Sequence, residues 1–190
     1  MATYLFFDVE TNGIGEFRKE KGELQTLTQL AFIKTDQDGN VIKTYQSLVK
    51  GATAVRDIPQ VKFTVEQLER DGISREEVVK EFIESIDPTT ILIAHNAEFD
   101  IGIMDFTAKS VGLELPNNIV VCTMMNSINI CKTVWLPWKN DWKYPKLLDL
   151  ANKMGIEFDE QKAHDALYDV DITRRCFFEL AKSVVYETIN

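Results

Sequence analysis

Asp8, Glu10, Asp100, His164 and Asp169 are among the side chains of this sequence whose types suit metal and acid–base chemistry. Asp8 and Glu10 lie two residues apart at the end of Thr3 to Val9, an apolar stretch that reads as a strand. Side chains at i and i+2 of a strand point to the same face. Two carboxylates placed so repel and raise each other's pKa. A hard divalent cation relieves the conflict, because Mg²⁺ and Mn²⁺ prefer carboxylate oxygen. The plainer account is two solvated acids at a strand end.

Asp100 falls in the run Ala94-His95-Asn96-Ala97-Glu98-Phe99-Asp100-Ile101-Gly102, where it opens a helix directly after a strand. Ligands gather at the carboxyl ends of strands in open α/β sheets. The helix dipole alone also favours Asp in a first turn, and Asn96 has the type of an N-cap. His164 and Asp169 belong to Ala163-His164-Asp165-Ala166-Leu167-Tyr168-Asp169-Val170-Asp171. On an ideal helix five residues separate two side chains by about 140°. A shared site therefore needs Asp169 on the helix and His164 in the loop before it. An imidazole there, with a pKa near ~6.5, can take a proton from water at neutral pH. A capping or surface histidine is the plain alternative. Asp165 and Asp171 compete with Asp169, and Asp165 shares its helical face at i, i+4. Spacing alone leaves that choice open.

The elements that must carry these residues follow from the hydrophobic pattern. Thr3–Val9 is apolar on both faces, as a central strand covered on two sides should be, and Asn12, Gly13 and Gly15 break it. Leu27–Thr35 and Val41–Val49 read as strands joined by the turn Asp38-Gly39-Asn40. The first three strands thus form an antiparallel meander. Thr64 caps a short helix to Arg70, ended by Gly72. Ser74 with Glu77 three residues on is a capping-box pattern, opening a helix to about Ile86 that Asp87-Pro88 stops. Thr90–Ala94 is a strand, Phe99 to Val111 a helix, and Ile119–Thr123 a fifth strand. Lys132–Pro145 reads as an aromatic-rich loop and Lys146–Met154 as a short helix. The last helix runs from about Ala166 to Val185, with Leu167, Val170, Phe177, Leu180 and Val184 on one stripe. The fold class is α/β with a five-stranded mixed sheet.

The chain has 190 residues, which suits a single domain, and no linker divides it. Its apolar runs are far shorter than the roughly 20 residues of a spanning helix, so no membrane is expected. No basic-then-apolar N-terminal signal is present. Cys122, Cys131 and Cys176 form no C-x-x-C motif, and a cytoplasmic location is the simplest expectation. A formal net charge of −9 argues against a broad basic surface for duplex nucleic acid. It is compatible with gripping a short single-stranded end, because bound cations reverse the local field of a carboxylate pocket.

Taken together, Phe7-Asp8-Val9-Glu10-Thr11-Asn12-Gly13, His95-Asn96-Ala97-Glu98-Phe99-Asp100 and His164-Asp165-Ala166-Leu167-Tyr168-Asp169 resemble the three motifs of the DEDDh exonucleases, the DnaQ-like group within the ribonuclease H-like fold. Within that group the chain is similar to the epsilon-type catalytic domain of DNA polymerase III and to RNase T-like trimming enzymes. The resemblance implies that Asp8, Glu10, Asp100 and Asp169 bind two divalent cations, Mg²⁺ or Mn²⁺, and that His164 is the general base. It selects Asp169 over Asp165 and Asp171. It also implies that Thr11, Asn12, Gly13, Asn96 and Phe99 approach the 3′-terminal nucleotide. The activity implied is two-metal 3′→5′ hydrolysis of single-stranded nucleic acid, DNA favoured, to nucleoside 5′-monophosphates. RNA trimming is the alternative, and a non-catalytic end-binding module or an endonuclease are the others. The expected partners are single-stranded DNA or RNA 3′ ends, a DNA polymerase in trans, and a second copy in a homodimer. No polymerase-tethering tail is evident after the last helix, which favours a free-standing nuclease.

One stretch lies outside those motifs. Lys132 to Lys146 holds Trp135, Trp138, Trp142 and Tyr144 interleaved with Lys139 and Lys143, against the single acid Asp141. Aromatic faces with lysines between them can stack bases and hold phosphates. Tryptophans that cover a core edge or a dimer contact would give the same composition.

Overall fold

Strand β1 (Thr3–Thr11) is the central member of a five-stranded sheet, ordered β3-β2-β1-β4-β5, in the computed structural model of this chain. The structure describes residues 2–13, 25–56, 58–59, 61 and 63–189, and side chains as far as 182. The strand break expected at Gly15 and the stripe position Val184 lie outside that description. β2 (Leu27–Asp36) and β3 (Val41–Leu48) complete the antiparallel meander, and β4 (Thr90–Ala94) and β5 (Val120–Cys122) add two parallel strands. The expected turn is pinned by Asp36, whose Oδ1 accepts from the Asp38 and Asn40 N–H groups at 2.9 Å.

The alternation of β1 sorts its side chains between two cores. Leu5, Phe7 and Val9 pack with Val78, Val79 and Phe82 of α2 (Arg75–Glu84) and with Ile103 and Met104 of α3 (Ala97–Ser110). Tyr4 and Phe6 face the other way, onto Ala166, Val170, Phe177 and Phe178 of α6 (Ala166–Ile189). Burying an aromatic or aliphatic side chain of this kind contributes about 1.5–3 kcal/mol, so both faces of β1 are strongly anchored. Its end is therefore a rigid place for Asp8 and Glu10, which continue the α6 face.

Helix α1 (Val65–Asp71) and α2 begin as their sequences predict. Thr64 with Gln67 and Ser74 with Glu77 form reciprocal capping boxes. Three features differ from the sequence reading. An additional helix, α4 (Thr123–Cys131), follows β5 directly. Its N-cap is Cys122, a weak acceptor, and its C-cap is Lys132 in the left-handed region, so neither usual boundary signal is present. The aromatic loop contains a small hairpin, β6 (Trp135–Leu136) paired with β7 (Asp141–Trp142). The stripe on α6 also divides. Val170 and Phe177 meet the sheet, whereas Leu180 packs with Ile172 and Cys176 against Leu150 and Ala151 of α5 (Leu147–Lys153). The helix is wedged between two partners and needs apolar surface for each. Among the described residues no helix is long and apolar enough to cross a membrane.

Candidate active site

Parallel pairing aligns the starts of β1 and β4, from Thr3 opposite Thr90 to Phe6 opposite Ile93, so β1 runs on past the end of β4. Beyond that register the Val9 N–H donates to Asp100 Oδ1 at 3.2 Å instead of to a strand. This bond draws the first turn of α3 over the end of β1. Asp8 and Glu10 approach the same point from the opposite face of the sheet, together with Asp169 from the first turn of α6. A cavity of about 620 Å³ opens there, and its walls include Asp8, Glu10, Asp100, His164 and Asp169.

His164 lies in the loop before α6, not on the helix, as its spacing from Asp169 requires. Its backbone is left-handed at φ 65°. Such a conformation costs a non-glycine residue on the order of 1 kcal/mol. The bond from its N–H to Asp169 Oδ2 at 3.0 Å holds it there. Nδ1 sits 3.5 Å from Glu10 Oε1. The Glu10 carboxylate raises the His164 pKa, against the opposing effect of burial.

The two competing acids are used elsewhere. Asp165 caps α6: its Oδ1 accepts from the Tyr168 N–H at 3.1 Å, and Gln46 Nε2 donates to the same carboxylate at 3.3 Å. Asp171 pairs with Arg174 at 2.7 Å. Another N–H at the start of α6, that of Ala166, donates to Oε1 of the buried Gln29 at 3.1 Å. The cap and Gln29 fix the first turn, and so fix Asp169.

The electrostatics of the cluster are unfavourable without a cation. Burial pushes the Asp100 carboxyl up to about 8 and the Asp169 carboxyl up to about 7. Asp8 is raised well above its ordinary range, first by burial and then by Asp100, Asp169 and Glu10. Asp100 Oδ2 and Asp169 Oδ1 are buried without a hydrogen-bond partner. Desolvated carboxylate oxygens of this kind are costly unless a cation or donor meets them. Glu10, His164 and Asp169 each offer one ligand atom, all within 4.8 Å of one another. The carboxylate oxygens of Asp8, Glu10, Asp100 and Asp169 around this cavity suit a hard divalent cation, whereas the His164 imidazole is the softer donor of the set. The donor set and the orphaned oxygens therefore fit a metal site.

The secondary positions separate. Thr11, Asn96 and Phe99 line the cavity. Asn96 occupies the N-cap position of α3 at φ 73° but makes no side-chain capping bond, which leaves its amide on the cavity wall. Asn12 and Gly13 are not among the lining residues. Asn12 is buried, and its Oδ1 accepts from the Thr26 N–H at 3.1 Å, tying the end of β1 to the start of β2. Gly13 has φ +67°, and Arg56 packs over it closely enough that a Cβ would meet the Arg56 side chain at 2.8 Å.

Sequence reasoning missed Arg56 and the role of His95. Arg56 lines the cavity with its guanidinium 4.0 Å from Glu10 Oε2. A lone arginine in a loop between β3 and α1 carries no local signal. His95 bridges two elements, with Nε2 3.1 Å from the Pro145 carbonyl and Nδ1 3.0 Å from Thr123 Oγ1. A carbonyl only accepts, so Nε2 carries the proton. Burial drives the pKa of His95 down to about 4, and the ring is neutral near pH 7.

Residues 5–177 match the RNase T exonuclease family. The chain is 28% identical over 184 residues to the PolC-type DNA polymerase III of Bacillus cereus, covering 96% of this chain and 12% of that one. The PolC-type DNA polymerase III of Staphylococcus saprophyticus matches at the same identity and coverage. Among solved structures, E. coli exonuclease I in complex with a dA16 oligonucleotide superimposes with a TM-score of 0.72 at 20% identity, covering 96% of this chain and 41% of that chain. At that identity the likeness is one of fold, the five-stranded mixed sheet with its flanking helices. The chain thus spans 12% of the length of these polymerase relatives.

Proposed function

This chain belongs to the RNase T exonuclease family, and from that we propose that it removes nucleotides from the 3′ end of single-stranded DNA by metal-dependent hydrolysis. The observation that carries the reading is the convergence of Asp8, Glu10, Asp100, Asp169 and His164 on one cavity, with two buried carboxylate oxygens that lack partners.

Asp8, Glu10, Asp100 and Asp169 would hold two divalent cations, Mg²⁺ or Mn²⁺. When bound, these ions supply Lewis-acid activation of water and charge stabilisation at the scissile phosphate. The protein's own groups orient and move protons. Glu10 engages His164 Nδ1, which leaves Nε2 to accept the proton of the attacking water. The water oxygen joins phosphorus as the bond to the 3′ oxygen breaks, and that oxygen takes a proton from solvent. The products are a nucleoside 5′-monophosphate and a strand shorter by one nucleotide with a free 3′ hydroxyl. Thr11, Asn96 and Phe99 form the wall against which the terminal nucleotide rests, and Arg56 faces its phosphate.

DNA is favoured over RNA because the polymerase relatives are DNA polymerases and the exonuclease I structure holds a deoxyoligonucleotide. The same relatives support action at polymerase-generated 3′ ends. The test is a parallel degradation of single-stranded DNA, duplex DNA with a mismatched 3′ end, RNA and a closed single-stranded circle. Mononucleotide release from the first two in Mg²⁺ or Mn²⁺, with the circle intact, is expected. Faster release from RNA would assign a trimming role. Cleavage of the circle, or full activity in excess EDTA, would overturn the reading.

A further inference from the structure

The β6–β7 hairpin contributes no side chain to any of the three buried hydrophobic clusters. Trp138 at its tip is 76% exposed, and Trp135 and Tyr144 are 44% and 47% exposed. The tryptophans therefore do not cover a core edge. Exposed aromatic area on this scale marks an interaction surface. The hairpin is organised all the same. Trp135 and Trp142 pair edge-to-face at 5.2 Å, and the Lys139 ammonium lies 5.6 Å over the Tyr144 ring. Thr133 Oγ1 donates to the Lys143 carbonyl at 2.9 Å, and the Lys143 N–H donates to the Val134 carbonyl at 2.7 Å, closing its base.

Two further facts identify what this surface meets. Its charges are lysines, with Asp141 the one acid from Lys132 to Lys146, in a chain whose net charge is −9. It is also continuous with the cavity. Its outgoing leg ends at Pro145, whose carbonyl accepts from His95 of the second motif, and the next residue, Lys146, lines the cavity wall.

We propose that the hairpin is a stacking platform for single-stranded nucleic acid on the 5′ side of the nucleotide being removed. Trp135 and Trp138 offer faces to the bases, and Lys139, Lys143 and Lys146 meet the phosphates that lead to the cavity. Stacking of this kind is sequence-tolerant because every base has a π-face. The platform rests on the exonuclease reading for the direction in which the strand runs. Continuity with the cavity through Lys146 selects a strand over a second copy of the chain.

The probe is an end-labelled oligothymidylate of about 12 nucleotides, within the usual range of single-strand sites, titrated in Ca²⁺. Trp138→Ala should weaken binding about tenfold, and Trp138→Phe should restore most of it, because a phenyl ring still stacks. Replacing Lys139 and Lys143 with Ala should flatten the dependence of log affinity on log salt by about 0.7 for each phosphate no longer neutralised. In Mg²⁺, Trp138→Ala should raise KM for the strand about tenfold and leave kcat within about twofold. Hydrolysis of the p-nitrophenyl ester of thymidine 5′-monophosphate, which reaches only the cavity, should not change. Unaltered strand affinity in the tryptophan and lysine variants overturns the platform, as does a wild-type chain that binds no strand. Loss of dimerisation at unchanged strand affinity also overturns it, by assigning the hairpin to a second copy. A wild-type protein that binds through the hairpin yet cleaves neither substrate supports the platform and sinks the exonuclease reading instead.

Discussion

Replacing Asp100 with Asn should stabilise the metal-free protein while abolishing turnover. Burial lifts this carboxyl from 3.8 to about 8. Each pKa unit corresponds to about 1.4 kcal/mol, so at pH 7 the wild-type fold forgoes about 4 kcal/mol by holding neutral a group that the unfolded chain ionises. Asparagine keeps the oxygen that accepts from the Val9 N–H at 3.2 Å and replaces the partnerless Oδ2 with an uncharged amide. The sign follows from linkage. The folded pKa lies above the unfolded one, so the carboxyl's contribution is fully present below about pH 4 and is lost as pH rises toward about 8. The variant has no such loss. The stability gap between the two proteins should therefore widen by about 1.4 kcal/mol per pH unit across that window. Urea unfolding in excess EDTA, from about pH 5 to about pH 8, measures it. Mg²⁺ or Mn²⁺ should then stabilise the wild type selectively, by about 2.7 kcal/mol at a hundredfold excess over Kd, and so narrow the gap. A gap that does not change with pH, or a variant less stable at the alkaline end, would refute the reasoning.

Three other outcomes follow from the same geometry. His164→Ala should lower kcat on single-stranded DNA by about 10²–10⁴, the usual contribution of a general base; a fall shared equally by an inert-site control would assign the loss to folding. Arg56→Ala should cost about 10- to 100-fold in kcat/KM, as expected for one charge-assisted bond to a phosphate, and steady-state kinetics at several salt concentrations would detect it. His95 bears on stability with the opposite sign from Asp100. Its folded pKa of about 4 lies below the unfolded value of 6.5, so the unfolded chain gains its proton first as pH falls. Stability from this group is present above about 6.5 and is lost toward about 4, by ~3 kcal/mol. His95→Gln lacks that loss, so wild type and variant should converge in Tm as the buffer is acidified; parallel curves would count against a neutral buried ring.

Much of this architecture is written locally. The alternation of β1, the Asp38-Gly39-Asn40 turn and the capping boxes at Thr64 and Ser74 are short-range patterns, and the structure places a strand end, a turn and two helix starts on them. The same holds for the shared face of Asp8 and Glu10, which depends only on the two-residue repeat of a strand. The loop position of His164 needed just the angle between helical residues. Helix α4 escaped because Cys122 and Lys132 stand where a strong cap and a glycine usually do.

Composition and spacing therefore determined the mixed α/β sheet and a short roster of acids, with motif resemblance naming the five expected to act together. Tertiary structure decided what each competing acid does. Asp165 became the cap of α6, Asp171 an ion-pair partner of Arg174, and Asp169 the one turned toward Glu10. It also brought Arg56 to the cavity and removed Asn12 from it. These assignments depend on which faces meet when α3 and α6 close over opposite sides of β1. A carboxylate's role is set by the burial, donors and charges around it, and those come from residues distant in sequence.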